Sequence, residues 1–213
     1  KGYKLVGMDA SGLELRMLAH YMNDEGYTAE LLLGDIHTAN MKAAGLNSRD
    51  TAKTFVYAYL YGAGDAKIGS IVGKGAGAGR KLKKKFLDNT PALATLREEV
   101  DRACKKGYLR SIDGRKIEVR SPHAALNTLL QSAGAIVMKK ALVILDEYAT
   151  KQRIDYRFVG NIHDEIQTEV REDQAEKFGR LATQCMEAAG IQLGFRLPIA
   201  GEYKVGSSWA ETH

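Results

Sequence analysis

The segment Tyr156–Val170 constrains the fold more than any other part of the chain. It consists of two β-permissive runs that flank the sequence His163-Asp164-Glu165. This pattern predicts a β-hairpin with acidic residues at its tip. A second hairpin is predicted over residues 108–120, where Asp113-Gly114 separates two further β-like runs. Antiparallel strand pairing is therefore expected in the later half of the chain.

Helical periodicity dominates most of the remaining sequence. The predicted helices cover about residues 13–21, 47–60, 90–105, 124–148 and 174–189, and further strands are predicted at residues 3–8 and 202–205. Because helices and strands are mixed without a regular βαβ repeat, the fold class is predicted to be α+β. The alternating glycines from Gly73 to Gly79 are predicted to form a flexible loop.

The charge of the chain is unevenly distributed. The 213 residues carry a net charge of +5 and suffice for one large domain or two small lobes. Residues 67–116 hold 14 Lys/Arg against 5 Asp/Glu, an excess of +9, so the remainder is −4. A basic segment of this kind suits contact with a polyanion, although a solvated helix face would give the same count.

Several classes of protein are not expected. The apolar run 133–145 contains Lys139 and Lys140, so it is predicted to be too short and too charged to cross a membrane. The absence of a signal-like N-terminus favours a cytoplasmic location, and the two distant cysteines, Cys104 and Cys185, favour free thiols. Because the sequence begins at Lys1 and reaches Asp9 within one strand, it is interpreted as a fragment or a split-gene product.

Asp9 and Asp164 are the candidate metal ligands. Each has an ordinary alternative explanation, since Asp9 could cap the following helix and Asp164 could be a turn residue. Both, however, lie at predicted strand ends that could meet across one sheet. Such a carboxylate pair suits two hard divalent cations about 4 Å apart, as used in phosphoryl transfer.

The predicted helix after Ser48 carries a polar and aromatic stripe. Arg49, Lys53, Tyr57 and Tyr61 are spaced four residues apart, so they lie along one slowly winding side of the helix. The two cations could contact phosphates and the two aromatic rings could stack on a base. An ordinary amphipathic helix would show the same spacing.

These segments resemble the three conserved motifs of family A DNA polymerases, the DNA polymerase I family. Residues 9–16 (DASGLELR) resemble motif A, the Arg49-to-Gly62 pattern resembles motif B, and His163-Asp164-Glu165 resembles motif C. Residues 121–131 (SPHAALNTLLQ) are similar to those of replicative polymerases of short-tailed phages. The resemblance implies a palm with an antiparallel sheet and helices from residues 1–36 and 108–213, and helical fingers from residues 37–107. It also implies that the thumb and exonuclease domains are absent from this chain.

The resemblance further assigns roles to individual residues. Two Mg²⁺ ions would be held by Asp9, Asp164 and the backbone carbonyl of Ala10, with Glu165 supporting the site. His37 and Arg49 would bind the outer phosphates, Lys53 would act at the α-phosphate, and Glu14, Tyr57 and Tyr61 would border the sugar. Asn127, Gln131 and His163 would contact primer-template DNA, and the basic run containing Lys83 and Lys84 would contact its phosphates.

The implied function is template-directed DNA polymerisation, in which dNMP is added to a primer 3′-hydroxyl during phage DNA replication. The expected partners are primer-template DNA, dNTP, an N-terminal portion with thumb and exonuclease, and a processivity factor, with no membrane. Two alternatives are a non-catalytic DNA-binding fragment that needs an N-terminal partner and a relative of single-subunit RNA polymerases. Glu14 favours dNTP, because it would occupy the space that a 2′-hydroxyl needs.

Overall fold

The computed structural model describes residues 2–213, which form two compact units. The first unit contains residues 2–17 and 132–213, and the second contains residues 18–131. The predicted palm and fingers limits at 36/37 and 107/108 stay a prediction, because compactness alone does not assign a functional domain. Both cysteines are free thiols, as predicted.

The described residues form helices and strands in a mixed order. In chain order they are β1 (Tyr3–Ala10), α1 (Leu13–Met22), α2 (Glu25–Leu32), α3 (Ile36–Ala44), α4 (Arg49–Leu60), α5 (Asp65–Ile71), α6 (Ala76–Asp88), α7 (Pro91–Cys104), β2 (Tyr108–Arg110), β3 (Lys116–Glu118), α8 (Ala125–Lys151), β4 (Tyr156–Ile162), β5 (Glu165–Arg171), α9 (Ala175–Gln192), β6 (Gly201–Gly206) and α10 (Trp209–Thr212). Both predicted hairpins and every predicted helix are present, whereas α2, α3, α5, α6 and α10 were not predicted.

The first unit is built on a four-stranded antiparallel sheet with the order β4-β5-β1-β6. Side chains alternate between the two faces of β1, so Val6 and Met8 are buried while Asp9 is exposed. Helix α9 packs on β1 and β6 and buries Phe178 and Met186. The register places Asp9 at an end of the sheet, opposite the first residue of β5.

Helix α8 differs from the prediction made for its sequence. It is 27 residues long, and with the preceding turn it is long and apolar enough, by length and composition, to cross a membrane. The expectation that this segment is too short and too charged is therefore wrong. Half of its most apolar stretch is buried within the structure, as in the core helices of soluble proteins, so this helix is weak evidence for a membrane span.

In the second unit, α4 packs against α6 through aromatic rings. The ring centroids of Phe55 and Phe86 lie 5.2 Å apart in an edge-to-face arrangement, and those of Tyr59 and Phe86 lie 5.8 Å apart. Phe55 and Phe86 are fully buried. This contact fixes which side of α4 faces the core and leaves the opposite side for other contacts.

The glycine-rich segment is a loop only in its first half, because Gly73 and Gly75 lie between α5 and α6 whereas Gly77 and Gly79 belong to α6. Helix α6 begins at Ala76, and its glycine at position 79 is buried against α5. A Cβ at Gly79 would lie 2.0 Å from the carbonyl oxygen of Asp65, and one at Gly69 would lie 2.2 Å from that of Gly75. These glycines are present because the backbones of α5 and α6 approach so closely.

Candidate active site

One cluster of predicted site residues, in the first unit, lies where β1 and β5 meet at the end of the sheet. The amide of Ala10 donates a hydrogen bond of 2.9 Å to the carbonyl of Asp164. Asp9 is paired in register with Glu165 on one side and Glu202 on the other. The two aspartates predicted from separate motifs therefore lie at adjacent strand ends.

This acidic cluster is electrostatically unfavourable by itself. Desolvation raises the pKa of Asp9, and the negative charges of Asp164, Glu165 and Glu202 raise it further, whereas His213 opposes the shift. Carboxylate oxygens that repel one another in this way are the donors that hard divalent cations prefer. The donor set of Asp9 and Asp164 therefore fits Mg²⁺, although the described residues contain no group of three or more His, Cys, Asp or Glu side chains arranged as a metal site.

The side chain of Glu165 makes hydrogen bonds to residues that the sequence did not indicate. Its side chain is 4% exposed, and it accepts hydrogen bonds from Trp209 Nε1 at 2.9 Å and from Gln167 Nε2. His213 Nδ1 lies 2.8 Å from its second oxygen. Burial raises the pKa of Glu165, but the hydrogen bonds of Gln167, His213 and Trp209 outweigh it and hold the pKa below its usual value. These hydrogen bonds favour the ionised form of the carboxylate and restrain its position.

His163 forms the tip of the hairpin between β4 and β5. Its φ angle is 54°, a left-handed conformation that is uncommon for residues other than glycine. The side chain is exposed, so it is available for the primer contact predicted for it.

A separate cluster of predicted site residues, in the second unit, lies on the outer side of α4. The helix begins at Arg49, and Ser48 caps it by accepting the amide of Thr51 at 3.3 Å. Arg49 and Lys53 are exposed and Tyr57 is half-buried. Tyr61 follows the last residue of the helix and is 49% exposed. The predicted stripe therefore exists as one accessible side of α4.

His37 of α3 joins this stripe. Its ring centroid lies 6.4 Å from that of Tyr57. Desolvation lowers the pKa of His37, and the positive charges of Arg49 and Lys53 lower it further, whereas Asp35 opposes them. Its Nδ1 is buried and has no hydrogen-bond partner among the described residues. His37, Arg49 and Lys53 therefore form one cluster within the second unit, which Arg49 and Lys53 make cationic while the lowered pKa of His37 favours its neutral form.

The family model for DNA polymerase family A matches residues 1–211. The chain belongs to DNA polymerase family A. Two curated relatives, the DNA-directed DNA polymerases of Enterobacteria phage T3 and Escherichia phage T7, are each 45% identical over 238 aligned positions that include the whole chain. DNA polymerase I of Pseudomonas aeruginosa is 27% identical over 242 positions. The predicted family is thus confirmed.

A solved structure shows the same fold at lower identity. It is the polymerase domain of Pol1 from M. smegmatis in complex with DNA primer-template and dNTP, with a TM-score of 0.86, 22% identity and coverage of 98% of this chain and 40% of that chain. This likeness confirms the predicted mixed fold of antiparallel sheet and helices. The chain spans about a third of the length of its phage relatives, 34% in each case.

The remaining predicted site residues lie on three helices. Glu14 is half-buried in the first turn of α1. Asn127 and Gln131 are four residues apart near the start of α8, on one side of that helix. Lys83 Nζ donates to the carbonyl of Ala63 at 2.6 Å and lies 3.1 Å from an Asp65 oxygen.

These intramolecular contacts bear on the basic run of α6. Lys83 is held within the second unit, whereas Lys84 is exposed and pairs with Asp88 at 2.7 Å, one turn along the same helix. Exposed pairs of this kind are readily exchanged for other anions. The DNA contacts assigned to Lys83 and Lys84 remain predictions, with the structure favouring Lys84.

The sequence did not single out Asp35, which contacts Arg49. Its Oδ2 accepts a hydrogen bond from Arg49 Nε at 2.8 Å. Asp35 also caps α3, a role that could have been found from an Asp immediately before a helical segment. No comparable local signal marked Trp209 or His213 as partners of Glu165.

Proposed function

We propose that this chain is the polymerising part of a DNA-directed DNA polymerase, which joins dNMP to a primer 3′-hydroxyl and releases pyrophosphate. The observation that carries the proposal is the meeting of Asp9 and Asp164 at adjacent strand ends, in a chain whose family match runs along residues 1–211. Phosphoryl transfer needs carboxylates at such a point, because they are the protein's means of holding divalent cations near a polyphosphate.

Asp9, Asp164 and the backbone carbonyl of Ala10 would hold two Mg²⁺ ions. When bound, the ions supply charge neutralisation and lower the pKa of the attacking hydroxyl. Glu165, itself buried, would support this strand end through its hydrogen bonds to Trp209 and His213. These carboxylates thus contribute position and charge, which are the main sources of catalysis in phosphoryl transfer.

The cationic cluster of the second unit would bind the triphosphate. Arg49 suits the outer phosphates because its planar fork can bind two oxygens at once, whereas Lys53 acts as a point charge at the α-phosphate. His37 offers a further donor beside them. Tyr57 and Tyr61 would lie against the sugar and base, and Glu14 would exclude a 2′-hydroxyl, so that dNTP is preferred to rNTP.

Contacts with nucleic acid would come from other residues. Asn127 and Gln131 can donate to minor-groove acceptors that are present at every Watson–Crick pair. His163 would contact the primer end, and the basic run of α6 would contact phosphates. The phage relatives are about three times longer, so a thumb and exonuclease portion, a processivity factor, a role in phage replication and a cytoplasmic location belong to the proposal for the whole protein.

Primer extension on a defined template tests the proposal. The chain is assayed alone and with the N-terminal portion of a phage relative, and Asp9→Asn and Asp164→Asn are compared with Glu187→Gln, which alters an exposed carboxylate of α9. We expect Glu187→Gln to retain activity and either aspartate variant to lose at least about 10³-fold, as loss of an essential electrostatic group does. Extension by either aspartate variant at a near wild-type rate would refute the assignment.

Two further outcomes separate the alternatives. DNA binding without extension in every arrangement would indicate a non-catalytic binding fragment. Extension that prefers rNTP to dNTP would indicate a relative of the RNA polymerases and would also remove the role given to Glu14.

A further inference from the structure

The carboxylate of Asp35 connects the beginnings of two helices. Its Oδ1 accepts the amides of His37 at 3.1 Å and Thr38 at 3.3 Å, which caps α3. Its Oδ2 accepts the Thr38 hydroxyl at 2.8 Å and Arg49 Nε, also at 2.8 Å. One side chain therefore joins the start of α3, which carries His37, to the first residue of α4.

This contact determines how Arg49 is oriented. The guanidinium group is planar and has five N–H donors in a fixed fork. Asp35 accepts from Nε, and the Arg49 side chain makes no other hydrogen bond or ion pair within the described residues. The four N–H groups of the two terminal nitrogens therefore remain available to a ligand, and the Nε contact sets the direction in which they point. These are donors that can bind a phosphate bidentately.

The ion pair of Asp35 and Arg49 is expected to contribute little to the stability of the fold. Both side chains are about half exposed, at 50% for Arg49 and 43% for Asp35. Exposed ion pairs contribute little to stability because water and salt screen them and two side chains must be ordered. The contact with Asp35 instead holds Arg49 beside His37 and Lys53 before any ligand is bound. Arg49 therefore loses less conformational freedom when it binds a ligand.

Resting on the proposed function, we propose that Asp35 is a positioning residue for the triphosphate site. It anchors Arg49 through Nε and leaves the terminal nitrogens of Arg49 to bind the outer phosphates of the incoming nucleotide. The carboxylate and the nucleotide do not compete, because they use different edges of the guanidinium group.

The variants Asp35→Asn and Asp35→Ser test this role. Both residues are good helix caps, so both preserve the start of α3, but neither carries the charge that holds Arg49. The matched control is Asp173→Asn, because Asp173 also accepts an arginine Nε, that of Arg171 at 2.6 Å, in the first unit. Circular dichroism melting of every variant checks that the fold is retained.

Equilibrium binding is measured by titration calorimetry with Mg-dATP, inorganic triphosphate and dAMP, so that no turnover is required. We expect Asp35→Asn and Asp35→Ser to weaken Mg-dATP and triphosphate about tenfold, as loss of a charge-assisted contact does. Binding of dAMP, which lacks the outer phosphates, stays unchanged, and Asp173→Asn matches wild type for all three ligands. In steady-state extension the same variants raise KM for dNTP more than they lower kcat.

A double-mutant cycle with Arg49→Ala completes the test. If Asp35 acts through Arg49, Asp35→Asn has no further effect once Arg49 is removed. Additive losses, or equal behaviour of Asp35→Asn and Asp173→Asn while Arg49→Ala weakens binding, would overturn the positioning role alone. If Arg49→Ala leaves Mg-dATP binding unchanged, the triphosphate site itself is wrong and the proposed function loses its support.

Discussion

The close approach of α5 and α6 predicts opposite effects for two glycine-to-alanine changes in one helix. At Gly79 a Cβ would lie 2.0 Å from the carbonyl oxygen of Asp65 and 2.7 Å from the amide nitrogen of Gly69. Both are backbone atoms, so relief requires one helix to move by more than 1 Å to reach an ordinary contact of about 3.4 Å. At Gly77, in the first turn of the same helix, an added Cβ meets nothing within 4 Å.

The magnitudes follow from these contacts. Alanine gains up to about 1 kcal/mol over glycine in a helix interior, and less in a first turn, so Gly77→Ala is expected to be neutral or stabilising by about 0.5 kcal/mol. Overpacking against rigid backbone costs about 1–3 kcal/mol or more, so Gly79→Ala is expected to be destabilising despite the same gain. Urea unfolding followed by circular dichroism measures both. If Gly79→Ala were as stable as Gly77→Ala, the two helices would not be packed in this way, and the prediction of a flexible loop would regain support.

Three further predictions concern site residues. Tyr57→Phe is expected to discriminate against dideoxynucleotides by a factor that can reach about 10⁴ in kcat/KM, because polar groups near the sugar are left unpaired, while its use of dNTP stays almost unchanged. If the ratio of kcat/KM for dNTP to that for ddNTP were equal in the wild type and the variant, Tyr57 would lie away from the sugar. Lys83→Ala is expected to lower the melting temperature, because the Lys83 ammonium group bonds to Asp65 and to a backbone carbonyl. Lys84→Ala is expected to leave the melting temperature unchanged and to reduce the slope of log K against log[salt] for DNA binding by about 1. A lower melting temperature for Lys84→Ala together with a smaller salt slope for Lys83→Ala would contradict both roles. The folded-state pKa of Glu165 is depressed, so its contribution to stability is present above the ordinary glutamate pKa and is lost as pH falls through the folded value. Glu165→Gln should therefore flatten the acid side of the plot of unfolding free energy against pH. An unchanged plot would show that the hydrogen bonds of Glu165 do not favour its ionised form.

Elements marked by local chemistry could be predicted from the sequence. Ser48 signalled the start of α4, Asp113-Gly114 signalled the turn between β2 and β3, and His163-Asp164-Glu165 signalled the hairpin of β4 and β5. Each signal acts within a few residues, so no knowledge of the tertiary structure is needed. The convergence of Asp9 and Asp164 was expected because both were placed at strand ends, but it depends on the pairing of β1 with β5, which no local signal specifies.

Elements determined by distant contacts could not be predicted. Glycines disfavour an isolated helix, so the local preference of residues 73–79 indicates a loop. Helix α6 packs closely on α5, and the absence of a Cβ at Gly69 and Gly79 permits this approach, a requirement visible only once α5 is in place. Trp209 and His213 likewise reach Glu165 across 44 and 48 residues of chain. Their position near the C-terminus gives no indication of a contact with motif C.

Three predicted site residues each carry a local cost that the rest of the fold must offset. Asp9 is surrounded by like charges, the buried Nδ1 of His37 has no partner in the described part of the chain, and His163 adopts a left-handed backbone conformation. Such costs are not confined to the site, since Asn23 and Arg153 also have positive φ angles. The three costs are physically independent, being electrostatic, hydrogen-bonding and conformational, and all three fall on residues to which the family resemblance had assigned roles. Residues selected for stability alone would relieve these costs, so their presence at these three positions supports a binding role for each residue.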